Sequence, residues 1–172
     1  MKKLNKKYLI VTLLAVVLCA AKSVSPYPDF SGTWVLDSGK SDIKNQSLAY
    51  KKIIVSRQAD TIIIENMLKA TNGADSSSAE KFSFTGDVSK KVLPNTSHGV
   101  DTRYRSIIRS SDGQSLIMKE RNELDAKGLI QITYVTDIWT ILPSGELMIT
   151  STFKFPDTTL KAKAVYHRNL NH

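Results

Sequence analysis

The sequence predicts an all-β fold, an antiparallel up-and-down β-barrel of eight to ten strands, on three observations. Apolar residues recur in short alternating runs, the two-residue period of half-buried strands, and almost nothing after the first two dozen residues has helical spacing. Turn-forming residues separate these runs at short intervals. About ten strands joined so tightly would leave long unpaired edges in a flat sheet, and closing into a barrel, or packing as two sheets, removes them.

The chain opens on Met1-Lys2-Lys3-Leu4-Asn5-Lys6-Lys7, a cationic stretch, followed by an apolar run from Tyr8 to Ala21. That run is too short for a stable membrane span, is interrupted by Lys22 and ends in small residues, so residues 1–23 are read as a signal peptide cleaved after Ala21 or after Ser23. No transmembrane span is expected after cleavage. Residues 24–172 then form one barrel domain, which is expected to be secreted or periplasmic. Cys19 is the one cysteine, so no intramolecular disulfide is available. Anchoring as a membrane lipoprotein through Cys19 is the alternative localisation, disfavoured because Leu18 stands where Gly, Ala or Ser is expected before a lipidated cysteine.

Processing also changes the charge. The full chain carries 24 Lys and Arg against 16 Asp and Glu, a net of +8, but Lys2, Lys3, Lys6, Lys7 and Lys22 lie in the signal. Without those five, 19 basic residues face 16 acidic ones, a net of +3. No dense Lys/Arg patch remains to bind nucleic acid, so no such partner is expected. The remaining ~150 residues suit one domain that buries roughly two-thirds of its unfolded surface.

The strand candidates are 32–37, 50–57, 61–67, 80–85, 88–93, 102–109, 115–124, 129–142, 146–154 and 160–168. Gly86-Asp87 and Ser111-Asp112-Gly113 read as tight hairpins, Ala126-Lys127-Gly128 and Leu142-Pro143-Ser144-Gly145 as slightly longer ones. Consecutive hairpins make sequence neighbours spatial neighbours. Residues 38–49, 70–79 and 94–100 break the pattern and are expected as loops, the first with room for a short helix. In the run 129–142, Ile130, Ile132, Tyr134 and Ile138 share one face and Gln131, Thr133 and Asp137 the other. Trp139 and Ile141 fall on the polar face, so a bulge near 136–138 is expected to flip the phase.

The stretch Phe30-Ser31-Gly32-Thr33-Trp34-Val35-Leu36-Asp37, with Lys40-Ser41-Asp42 after it, resembles the opening of secreted bacterial lipocalin-like proteins of the calycin superfamily. The order continues with an Ile-rich strand ending at Arg57-Gln58, Ser111-Asp112-Gly113 before Leu116, Ile138-Trp139-Thr140-Ile141-Leu142 before Pro143-Ser144-Gly145, and Lys163-Ala164-Val165-Tyr166-His167-Arg168 at the close. The resemblance implies a structural clasp of Gly32, Trp34 and Arg168: the first-strand indole lies across the closed end and the last-strand guanidinium packs on it, a contact of about 0.5–2 kcal/mol. Gly32 is then expected to allow close backbone approach. The later family motif, Thr-Asp-Tyr, has only Thr136-Asp137-Ile138 as its counterpart, so the likeness is to a lipocalin-like barrel more than to a lipocalin proper.

Catalytic signals are missing. His98, His167 and His172 show no metal-binding spacing, no serine sits in Gly-x-Ser-x-Gly, and no phosphate loop is present. The expectation is a non-enzyme with no catalytic residue, no metal and no cofactor; haem on His98 is the one cofactor conceivable for such a barrel. Glu120, Glu123 and Asp125 alternate with Lys119, Arg121 and Lys127, which reads as a solvated face. Tyr104, Tyr134 and Trp139 are the candidate cavity-lining residues, since aromatics that point inward line an apolar pocket. The expected function is binding of a small apolar or amphipathic ligand in the barrel, with a small hydrophobic ligand as partner and no oligomeric state implied. The alternative is a cell-envelope protein–protein interaction module built on a filled barrel.

Overall fold

Ten strands are seen in the computed structural model, which describes residues 28–43, 50–58, 60–69, 75–96 and 99–169. The signal segment with Cys19, residues 44–49, 70–74 and 97–98, and the histidines His98 and His172 lie outside the described residues. The strands are β1 (Gly32–Leu36), β2 (Lys52–Gln58), β3 (Thr61–Lys69), β4 (Asp75–Ser83), β5 (Ser89–Thr96), β6 (Gly99–Arg109), β7 (Ser115–Ala126), β8 (Leu129–Ile141), β9 (Leu147–Lys154) and β10 (Thr159–Arg168). No helix occurs among the described residues.

All ten belong to one antiparallel sheet in the order β4-β3-β2-β1-β10-β9-β8-β7-β6-β5. The sheet curls into a nearly closed barrel. The first and last strands pair with each other (Trp34 with Arg168, Leu36 with Tyr166), so β1 and β10 sit mid-sheet and the edges are β4 and β5. Beyond β1 the chain keeps to β10: the Asp37 N–H donates to Val165 O at 2.8 Å, and Asp42 bridges Lys163. The described part of the expected loop 38–49, residues 38–43, is thus a turn and an irregular stretch held against β10, without a helix.

Alternation drives burial. Ile53 and Val55, Ile62 and Ile64, Leu116 and Met118, Leu147 and Ile149, Ala162 and Ala164 face inward at every second position, as the pleat requires. They join Phe30, Trp34, Phe82, Ile107, Trp139 and Tyr166 in one core. The turns after β2, β4, β6 and β8 gather at one end with both described termini. The other connections form the opposite end, the mouth.

Three expectations are corrected. β4 begins at Asp75, inside the stretch taken for a loop, because Asp75 through Ser83 pair continuously with β3. β5 and β6 likewise run through much of 94–100, with a register shift between Leu93 and Thr96 where Pro94 has no N–H to give. Finally, β8 has no bulge: its pairing with β7 is unbroken from Ala126–Leu129 to Ser115–Thr140. The β6–β7 register also explains Gly99, which has φ +134°; a Cβ there would lie 2.0 Å from the Asp125 carbonyl oxygen.

Candidate functional site

At the closed end Trp34 is fully buried, and its indole N–H donates to Phe30 O at 2.9 Å. The Arg168 guanidinium stands over the ring, 4.8 Å from its centroid, and donates to Asp29 O at 3.2 Å. Gly32 completes the group. A Cβ there would meet Arg168 Nε at 3.5 Å, ordinary contact, so it is the φ of +134° that calls for glycine and not a close approach. A crevice of about 10 Å³ beside Phe30, Arg57, Phe84 and Leu116 holds at most one water.

The three cavity-lining candidates separate. Trp139 points inward and is buried. Tyr134 is 47 % exposed, and Tyr104 lies on the outer face beneath Lys90 and Arg121, 5.6 and 5.4 Å from its ring centroid. The reason is parity: without a bulge, positions 134 and 139 of one strand face opposite ways. Ile130 and Ile138 go outward with Tyr134 and are exposed.

What β8 turns inward instead is Asp137, and it belongs to a buried polar layer between the apolar core and the mouth. Arg105 on β6, 8 % exposed, is at its centre. Its Nη1 lies 2.9 Å from Glu80 Oε2 on β4, and its Nε donates to Glu120 on β7. Glu120 also accepts from Asn122 Nδ2 at 2.6 Å. Lys91 on β5 approaches Glu80 at 3.6 Å, and Arg103 pairs with Asp101 at 3.2 Å. Glu120 therefore leaves the solvated face predicted for it, since its even position on β7 follows Leu116 and Met118 inward.

Electrostatics follow the packing. Burial works against the charge on Arg105, but Glu120 and Glu80 outweigh it and hold the guanidinium above its usual range. Asp137 shifts the other way: burial pushes its carboxyl up to about 6, against a hydrogen bond from Ser151 and the attraction of Arg105, with Glu120 adding to the rise. Burial likewise raises the phenols of Tyr50 and Tyr166, which face this layer. Several buried polar atoms have no hydrogen-bond partner among the described residues: Asn66 Oδ1, Asp101 Oδ1, Asn122 Oδ1, Asp137 Oδ1 and Trp139 Nε1. Such groups are costly unless something satisfies them.

Sequence reasoning missed this layer. Its one signal was Asp137 sharing a face with Trp139, which was resolved by invoking a bulge instead of an inward carboxylate. His167, paired with Val35, is exposed on β10. Among the described residues no three His, Cys, Asp or Glu side chains converge as a metal would need. No family model, curated protein or solved structure matches the chain.

Proposed function

We propose that the chain is an exported, non-enzymatic, lipocalin-like barrel that holds a small amphipathic ligand in its interior. The apolar part would rest on the core above Trp34, and the polar part would meet the layer around Arg105. The observation that carries this reading is the set of buried, unpartnered polar atoms at mid-barrel, above all Asn66 Oδ1, Asp137 Oδ1 and Trp139 Nε1. Pockets for such ligands combine apolar walls with a few polar groups that fix orientation. Native mass spectrometry of the mature chain purified from its own host is expected to show a bound small molecule that organic extraction removes. A bare polypeptide mass throughout would overturn the reading.

A second reading, an envelope interaction module on a filled barrel, draws on the outer face of β8. There Ile130, Tyr134 and Ile138 are exposed along one strand, and exposed apolar surface marks contact sites.

A further inference from the structure

We infer that the polar end of the ligand is a single positive charge rich in hydrogen-bond donors, a primary ammonium on an apolar chain, seated between Asp137, Glu120 and Asn66. The inference rests on the carrier reading above and says which amphiphile the barrel takes.

The first argument is charge balance. Within the buried layer three carboxylates, Glu80, Glu120 and Asp137, share one guanidinium, Arg105. Among the described residues, adding Lys91 and the Arg103–Asp101 pair gives four carboxylates and three cations, one positive charge short. Arg57, Arg109 and Arg168 do not make it up, because they lie at the closed end across the core: Arg57 and Arg109 line the crevice there and Arg168 covers Trp34.

The second argument is independent of charge. Among the unpartnered buried atoms, the oxygens of Asn66, Asp101, Asn122 and Asp137 are acceptors, and only Trp139 Nε1 is a donor. Asn66 and Trp139 are 8 % and 2 % exposed and face inward, Trp139 within the apolar core beside the layer. The Asn122 assignment is fixed by chemistry, since its amide nitrogen donates to Glu120. A head group that completes this set must donate more than it accepts. An ammonium brings three donors and no acceptor, whereas a carboxylate brings only acceptors and a second negative charge. Trp139, two residues from Asp137 on the same face, adds an indole ring, to which a cation is attracted.

Burial raises the Asp137 carboxyl, and Glu120 adds to the rise, although Arg105 pulls the other way, which agrees with a site short of positive charge. A bound ammonium would restore the ionised form.

The test uses the mature full-length chain and three ligands of equal chain length: decylamine, decanol and decanoate. Binding is read by calorimetry, with wild type and Asp137→Asn compared and the variant's fold checked by circular dichroism. Decylamine is expected to bind wild type at least about tenfold more tightly than decanol, and decanoate most weakly, the scale of a charge-assisted hydrogen bond. Asp137→Asn should erase the preference, bringing decylamine affinity down to that of decanol. If decanol or decanoate binds as tightly as decylamine, the ammonium inference falls and the carrier reading survives. If the preference persists in Asp137→Asn, the assignment to Asp137 falls. If none of the three binds, the carrier reading itself fails.

Discussion

Glu80 on β4 and Arg105 on β6 meet at 2.9 Å beside the two sheet edges, β4 and β5, which do not pair with each other among the described residues. β4 and β5 follow each other in sequence, yet each pairs only with its other neighbour. Lys91 on β5 reaches the same carboxylate at 3.6 Å, so Glu80 links β4 to both β5 and β6 through side chains.

Arg105→Ala should destabilise the fold strongly, because it leaves Glu80 and Glu120 as buried carboxylates without their shared cation. Breaking a buried pair from one side costs about 3–5 kcal/mol. Glu80→Gln should cost less, since Glu120 still holds the guanidinium. Urea midpoints for the two variants check the order, and equal midpoints would contradict it.

The clasp at the closed end predicts an asymmetric pair of effects. Trp34→Ala removes a fully buried indole from the centre of the core and should cost about 3–5 kcal/mol. Arg168→Ala removes only the cation over the ring, on an exposed side chain, and should cost about 0.5–1 kcal/mol. Thermal melts of both read the difference directly.

Asp137 makes stability fall as pH rises. Its folded value, about 6, lies above the ordinary 3.8, so the folded state binds its proton more tightly than the unfolded chain does. The resulting stabilisation is complete below about pH 4 and is lost as pH climbs through about 6, an effect of about 3 kcal/mol. Asp137→Asn should therefore be more stable than wild type at about pH 8 and indistinguishable from it at about pH 4. Melting temperatures across this range, taken without ligand, decide the matter.

Much of the fold was legible because alternation and turn chemistry act locally. Ser111-Asp112-Gly113 marks its turn through the Asp112 carboxylate, which accepts from the Gln114 N–H at 2.9 Å, an interaction spanning two residues. The first half of β4 was not legible: Ser77, Ser78 and Ala79 offer no apolar alternation and are strand only because β3 supplies their backbone partners. The site was hidden for a different reason. Reading a face as inward because it is apolar fails where the interior is polar, and β8 is that case. It turns Asp137 in and Ile130, Tyr134 and Ile138 out, and only the unbroken register with β7 and β9 says so. Glu120 and Arg105 are ordinary surface residues until β4 brings Glu80 to them.

The turn Phe84 to Val88 ties β4 and β5 together at the closed end, and above it only side chains join them. If these edges part, they must pivot on that turn and spread as a V whose wide end is the mouth. Glu80, which reaches both β5 and β6, is the side chain whose ion pairs such a movement would have to break.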